Sequence, residues 1–403
     1  MALFRWIDLF LRKIALWCIR LYQHTLSPDN SPLFRGRLGG TICAHEPHCS
    51  DYAKQCFQRY SFFRALSMSV ERVSHCHPAA TKTYDPASYR IVFFSSAPIG
   101  IPFLEEITED KRFDLVGVVT MPDAPSGRGM KVQENVIKQH SQKLELLTTD
   151  IQTPHSLRLD SKKYAEEAKE FKQRIEAKQP DMCVVIAYGK LLPKWLLDFS
   201  HFGTLNVRGS LLPAYRGASP LQSAFLDGKL ETGITIMLMD EGLDTGSIIE
   251  TVRTPLPLER TVKKLIERIT EKWPKFLTKT MWQRWKSYVH ATPQDESQVT
   301  LCSKFTKADG EFDPLKDDLL EVYQKWQAFA IRPKISFIRN KKRVTVEWIK
   351  LKLWVTRNQL ATTTLFHMVN DQLLLADTLQ EVQLKPEWKK IIWFTEFVHG
   401  YAK

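Results

Sequence analysis

The sequence predicts an α/β protein: a doubly wound parallel sheet, preceded by a small helical module and followed by a small β-barrel. Three observations carry that expectation. From Tyr89 onward, apolar strand-like runs (RIVFFSS, FDLVGVVTM, DMCVVIAYG) alternate with helical stretches, the order that builds parallel sheets. Five of the seven cysteines (Cys18, Cys43, Cys49, Cys56, Cys76) lie in the first 76 residues, which marks that stretch as a separate module. From about residue 300 the chain turns into short alternating strands. The expected divisions are 1–87, 88–290 and 300–403. A chain of 403 residues with 43% hydrophobic and 25% charged residues has a core to bury, which excludes a disordered or fibrous protein. The odd cysteine count leaves at least one thiol unpaired and points to a reducing compartment.

The formal charge of +12 favours a polyanionic partner, and it is concentrated at the two ends. Residues 1–88 hold 11 basic against 6 acidic residues, and residues 300–403 hold 17 against 12. In residues 1–24, Arg5, Asp8, Arg12, Lys13 and Arg20 interrupt every apolar run, so a membrane span is not expected. On a helical wheel these charges and Gln23 share one sector of roughly 140°, opposite Phe10, Ile14, Trp17 and Leu21. Such a cationic amphipathic helix suits an anionic membrane surface. A transit peptide and a helix packed on its own domain are the other readings.

Ser50 is placed to cap a helix over DYAKQCFQRYSFF, and a second helix over FFRALSMSVERVSH precedes Cys76-His77-Pro78 and Tyr84-Asp85-Pro86. The series Cys43-x-x-x-Pro47-x-Cys49-Ser50-x-Tyr52-Ala53, then C-H-P, then Y-D-P, resembles the YidD family of membrane protein insertion efficiency factors over residues 1 to about 87. Where that family usually carries H-P-G-G, this chain continues with Ala80-Thr81-Lys82-Thr83. The resemblance implies a peripheral protein at the cytoplasmic face of the cell membrane, working with the membrane insertion machinery. Cys43, His45, His48, Cys49, His75, Cys76 and His77 also admit a zinc reading, but the spacing is irregular and no C-x-x-C pair is present. The resemblance supplies no metal, and none is expected.

In a doubly wound sheet the site belongs at the carboxyl ends of the strands. After the second strand comes Pro122-Asp123-Ala-Pro125-Ser-Gly127-Arg128-Gly129-Met-Lys131, where Arg128 and Lys131 suit a phosphate and a solvated turn is the plain alternative. Residues 155–179 read as a charged surface helix. After the third strand come Ala187-Tyr188-Gly189 and then Asn206-Val207-Arg208-Gly209-Ser210-Leu211-Leu212-Pro213-Ala-Tyr215-Arg216-Gly217; a later strand delivers Asp244 into a Gly-flanked turn.

These blocks resemble methionyl-tRNA formyltransferase and the wider group of enzymes that use 10-formyltetrahydrofolate, whose pattern is N-V-H-x-S-L-L-P-x-Y/W-R-G followed by M-D-x-G-L-D-T-G. The resemblance runs from about Arg90 to the C-terminus. It implies a Rossmann-like catalytic domain and formyl transfer from 10-formyltetrahydrofolate to the amine of methionyl-initiator tRNA. It also implies that Asn206 donates to the developing oxyanion and that Asp244 orients the site and assists proton removal. Ser210, Leu211, Leu212 and Pro213, with Ala187, Tyr188 and Gly189, would then hold the folate.

Two departures bear on catalysis. Position 208 is Arg where the family has His, and a guanidinium that stays protonated cannot serve as a general base. Three readings follow: Arg208 stabilises the oxyanion while Asp244 or water takes the proton, Arg208 pairs with Asp244 and activity drops, or the chain is a tRNA- and membrane-binding adaptor. The family's F-F-G-T-P-E-F is replaced by Phe93-Phe94-Ser95-Ser96-Ala97-Pro98-Ile99, with Gly100 expected to restore backbone freedom.

Toward the C-terminus, SKFTKADGEFDP resembles the family's link into an OB-like domain. Between Arg332 and Arg357 nine basic residues face the single acid Glu347. With Trp348 and Trp354 interleaved, Arg339, Lys341, Lys342 and Arg343 read as a tRNA backbone-binding face. A nucleotide-sugar substrate has no need of so extended a cationic face. Only Ala87 to Tyr89 separate the two family patterns, so no flexible linker joins them.

Overall fold

The computed structural model describes residues 2–27, 31, 43, 45–77, 83–126, 130–144, 151–285, 290–352, 355–369, 372–387 and 389–401. The first module consists of helices α1 (Ala2–Thr25), α2 (Cys49–Arg59) and α3 (Phe62–Ser74). Tyr52, Cys56, Phe57, Tyr60 and Ala65 form its core, with Ala15, Leu16 and Ile19 of α1 packed against them.

The polar sector of α1 is turned partly inward. Asp8 Oδ1 accepts the Phe62 N–H at 2.7 Å, Arg12 Nε donates to the Phe57 carbonyl at 2.7 Å, and Gln23 Nε2 donates to Asp51 Oδ1 at 2.8 Å. The large apolar residues of α1 therefore face outward, with Trp6 73% and Trp17 64% exposed. On α3, Phe63, Leu66, Val70 and Val73 are exposed too. The helix cap differs from expectation. His48 occupies the N-cap of α2 and its side chain makes no capping bond there, while Ser50, already inside the first turn, accepts from Gln23 Nε2 at 3.2 Å. Among the described residues no helix is long and apolar enough to cross a membrane.

Short-range bonds join this module to the next. Arg59 Nη2 donates to the Phe113 carbonyl at 2.6 Å, and Arg59 Nη1 lies 3.2 Å from Asp114 Oδ1. The Tyr60 hydroxyl reaches the carbonyls of Ala87 and Lys111 at 3.1 Å each. The Tyr84 hydroxyl donates to Asp181, whose other oxygen accepts the Arg90 N–H at 2.6 Å.

Seven strands form the central sheet: β1 (Tyr89–Ser95), β2 (Phe113–Val119), β3 (Ile151–Gln152), β4 (Met182–Ile186), β5 (Thr204–Arg208), β6 (Glu231–Leu238) and β7 (Ile248–Pro255). Their spatial order is β7-β6-β5-β4-β1-β2-β3. The five strands β1 to β5 are parallel, as the doubly wound expectation has it, and β6 pairs antiparallel with both β5 and β7 at one edge. The turn between β6 and β7 is far too short for the crossover that a parallel pair requires, so those two strands pair antiparallel.

Alternate residues of β1 belong to opposite layers. Ile91 and Phe93 join the core made with Phe103 and Leu104 of α4 (Ile101–Glu109), and with Leu265, Ile269 and Trp273 of the long helix 262–285. Val92 and Phe94 join the core made with Phe171 and Ile175 of helix 165–177. Burial on both faces explains why the strand sequences are continuously apolar. The helix expected over 155–179 forms at Ala165–Ala177 and buries Ala168, Phe171 and Ile175 at helical spacing, leaving its charges outside.

The C-terminal part holds an antiparallel sheet, β8 (Ser336–Arg339), β9 (Lys342–Leu351), β10 (Leu379–Pro386) and β11 (Ile392–Trp393), in that order. With the ribbon of Phe366–Val369 and Gln372–Leu375 it makes a barrel-like module. Phe337, Val344, Val346, Phe366, Val382, Leu384 and Phe397 are buried there.

Candidate active site

The chain winds outward from β1 to β2 and β3, then returns to the other side of β1 for β4 and β5. The crevice at the carboxyl ends of β1 and β4 is therefore the topological switch point, where such sheets bind ligands. β5 carries Asn206, opposite Val185 of β4 and Met237 of β6, and Arg208, opposite Thr235 of β6. Two residues apart on one strand, Asn206 and Arg208 project from the same face.

The segment Ser210-Leu211-Leu212-Pro213 follows at once and is fastened by Thr235. The Thr235 hydroxyl donates to the Ser210 carbonyl at 2.7 Å and accepts the Leu212 N–H at 3.0 Å. Leu211 packs over Gly233, where an added Cβ would stand 2.6 Å from its Cδ2 and 2.0 Å from the Val252 carbonyl. Ser210 and Leu212 are buried, and the Ser210 hydroxyl has no hydrogen-bond partner. After β4, Ala187 and Gly189 take left-handed backbone with φ of +46° and +91°. The Ala187 carbonyl accepts the Ser96 N–H at 3.2 Å, linking the loops after β1 and β4. Between them Tyr188 sets its ring edge-to-face on Phe94, and its buried hydroxyl finds no partner. Burial pushes the Tyr188 hydroxyl's pKa well up.

In the altered loop after β1, Gly100 acts differently from what its sequence position suggested. Its φ of −76° is ordinary helical backbone. What it provides is space, because a Cβ there would fall 2.1 Å from the buried Ser95 Oγ.

Asp244 occupies the turn between β6 and β7 with φ of +58°. Asp240 Oδ1 braces that turn by accepting from the Gly242 N–H at 3.1 Å and the Thr245 hydroxyl at 2.6 Å. Asp244 Oδ2 accepts the Gly217 N–H at 2.8 Å and lies 2.9 Å from Arg208 Nη2. The two side chains are 6% and 17% exposed, so this is a nearly buried ion pair. Arg208 Nε and Nη2 have no angularly aligned hydrogen-bond acceptor. The contact is thus ionic attraction rather than a bidentate fork, and donor capacity is left beside Asn206.

Five residues that sequence reasoning did not single out for the site build this arrangement. Gln294 Nε2 donates to the carbonyls of Asp244 at 2.8 Å and Gly246 at 2.7 Å, and its Oε1 accepts from Arg216 Nε at 3.1 Å and Nη2 at 2.9 Å. Arg216 also pairs with Glu296 at 2.7 Å. Gly217 has φ of +120°, and a Cβ there would lie 2.2 Å from the Cys302 carbonyl oxygen. Thr235 fastens the Ser210–Pro213 segment, and Gln294 clasps the Asp244 turn from the 290–302 stretch. Arg216 and Gly217 were visible as letters of the Y-R-G motif, whereas Gln294 sits in a polar connection with no periodicity or motif.

The expected tRNA contacts are dispersed. Lys131 is exposed on a short ribbon formed with Ala124–Ser126, and Arg128 lies outside the described residues. Arg339, Lys341 and Lys342 crown the β8–β9 hairpin, where Asn340 and Lys341 have φ of +49° and +61° as a two-residue turn requires. Arg343 is instead tied inward, donating to Ser336 Oγ at 2.7 Å and pairing with Glu311. Lys334 pairs with Glu347, Arg357 donates to the Gly228 carbonyl, and Trp354 lies outside the described residues. A cleft of about 900 Å³ between Gln222 and the barrel is lined by Lys304, Lys307, Arg332, Lys334 and Arg343.

The crevice places this site among α/β enzymes that bind ligand at the switch point, and the comparisons make the class a formyltransferase. The formyl transferase family model matches residues 89–281, and the YidD model, described as a membrane protein insertion efficiency factor, matches residues 11–88. The chain belongs to the methionyl-tRNA formyltransferase family. It is 31% identical over 315 residues to the methionyl-tRNA formyltransferase of Acidobacterium capsulatum, an alignment that covers 77% of this chain and 96% of the relative. With that of Hydrogenovibrio crunogenus the identity is 35% over 224 residues, covering 56% of this chain and 68% of the relative. Among solved structures, a HypX variant from Aquifex aeolicus superposes with a TM-score of 0.51 at 15% identity, over 78% of this chain and 50% of that one; this likeness concerns the fold.

Proposed function

We propose that the chain transfers the formyl group of 10-formyltetrahydrofolate to the α-amine of methionyl-initiator tRNA. The observation that carries the reading is the placement of Asn206, Arg208 and Asp244 at the carboxyl end of β5, with Arg208 Nη2 held 2.9 Å from Asp244. The neutral amine attacks the formyl carbon, a C–N bond forms, and charge collects on the formyl oxygen. Asn206 donates its amide N–H to that oxygen, and Arg208 adds a second, charged donor. Collapse breaks the bond from carbon to the folate nitrogen, and tetrahydrofolate leaves carrying a proton. Arg208 cannot accept the proton released by the amine, and Asp244 is already neutralised by Arg208 and the Gly217 N–H. Water therefore carries that proton. Ser210 to Pro213 and Ala187 to Gly189 hold the folate, while Lys131, Arg339, Lys341, Lys342 and the basic cleft contact the tRNA backbone.

Residues 1–87 support an association with anionic membrane at the cytoplasmic face and a part in membrane protein insertion. The outward apolar residues of α1, flanked by Lys13 and Arg20, are what such a surface takes up.

The test is formylation of initiator methionyl-tRNA by the purified full-length chain and by Arg208→His. The expected result is slow wild-type transfer, accelerated by about 10²-fold or more once a titratable base stands at position 208. Transfer by Arg208→His with none by the wild type would overturn native activity.

A further inference from the structure

Three sulfurs that are far apart in the sequence meet in the first module. Cys43 lies in the loop before α2, Cys49 is the first residue of α2, and Cys76 follows the end of α3. Cys43 Sγ is 3.3 Å from Cys49 Sγ and 3.6 Å from Cys76 Sγ, and all three lie within 4.8 Å of one another. These are not disulfide distances, because a bonded S–S pair is about 2.05 Å apart. Three thiolates held tetrahedrally at about 2.3 Å from one cation stand about 3.8 Å from each other, and two sides of the observed triangle, 3.3 and 3.6 Å, lie just under that value. The backbone N–H of Cys49 donates to Cys43 Sγ at 3.3 Å, the kind of outer bond that fixes a metal-bound thiolate.

The surroundings agree with a staple. The three cysteines are half-buried, so an ion can reach them, while Cys56 is enclosed in the core and Cys18 is exposed on α1. Among the described residues the module's own core comprises six buried apolar residues, a small core for a three-helix unit. One cation would join the start of α2 to the end of α3 and to the preceding loop.

We propose that Cys43, Cys49 and Cys76 form a tri-thiolate site for one thiophilic divalent cation, with zinc as its ordinary occupant. Among the described residues no fourth side chain joins the triangle. Binding displaces the three thiol protons, and the cation changes no oxidation state. The soft thiolate set discriminates against magnesium and calcium.

The test uses the full-length chain, reduced and stripped of metal, then titrated with Co²⁺ and with Zn²⁺. The expected result is one Co²⁺ per chain with an intense thiolate-to-cobalt charge-transfer band, displaced by Zn²⁺ and unaffected by excess Mg²⁺. Zn²⁺ should also protect three cysteines from alkylation in the wild type, a readout that needs no variant. Cys43→Ser, Cys49→Ser and Cys76→Ser should each weaken Zn²⁺ binding by about tenfold or more, with Cys18→Ser unchanged. A Co²⁺ complex lacking the charge-transfer band, alkylation indifferent to Zn²⁺, or substoichiometric metal in the fully reduced chain would overturn the proposal.

Discussion

Replacing Gln294 tests whether the 290–302 stretch positions Asp244. Gln294 makes four hydrogen bonds, two to the carbonyls of Asp244 and Gly246 and two from the Arg216 guanidinium. At about 1 kcal/mol for each neutral bond, the two carbonyl anchors together restrain the turn by about 2 kcal/mol. Asp244 has left-handed backbone that a non-glycine residue resists, so the loosened turn relaxes away from it. A shift of about 2 kcal/mol lowers the competent fraction by up to about thirtyfold. We expect both Gln294→Leu and Gln294→Glu to lose about tenfold to thirtyfold in kcat, with little change in KM for tRNA, since the basic groups lie elsewhere. Gln294→Glu keeps an acceptor for Arg216 and denies only the donors, so it should be the more stable of the two. The assay is single-turnover formylation, with urea unfolding in parallel. Wild-type kcat in Gln294→Glu would refute the positioning role, because that variant leaves the Arg216 contact intact and removes only the bonds to the turn.

Three further outcomes are expected. Gly217→Ala forces a Cβ to within 2.2 Å of the Cys302 carbonyl at a φ of +120° and should destabilise the chain by more than about 2 kcal/mol, read from the urea midpoint. Phe10→Glu with Trp17→Glu removes two outward side chains, each contributing about 1.5–3 kcal/mol when buried, so sedimentation with anionic vesicles should fall at least about a hundredfold in partition. Burial raises the Asp181 carboxyl above its ordinary value in spite of the bonds from the Arg90 N–H and Tyr84. The folded state therefore keeps a proton that the unfolded chain gives up above about pH 4, and stability from this group is lost as pH rises from there through the raised folded value. Urea unfolding of Asp181→Asn should show a flatter pH dependence than the wild type over that range; parallel profiles would contradict this.

The parallel core was legible because its strands are buried on both faces. Ile91 and Phe93 serve one layer and Val92 and Phe94 the other, so the sequence shows an unbroken apolar run. Asn206, Arg208 and Asp244 were legible as motif letters, though no motif states that Arg208 and Asp244 stand 2.9 Å apart. The antiparallel edge was not legible, since the connection from β5 to β6, helix Pro220–Leu226 included, is long enough for either direction and strand composition does not choose between them. Helical periodicity drew the two faces of α1 correctly and left open which would meet α2 and α3; bonds from Asp8, Arg12 and Gln23 decide that. Gln294 acts through contacts nearly fifty residues away in the chain, which no local pattern encodes.

The bonds of Arg59, Tyr60 and Tyr84 to the sheet domain give the two family units a fixed bearing on each other. Once α1 is seated on a bilayer, the crevice above β4 and β5 cannot tumble; it faces one direction at one height. A flexible tether would tie the enzyme to the surface and let it turn; this joint sets its heading.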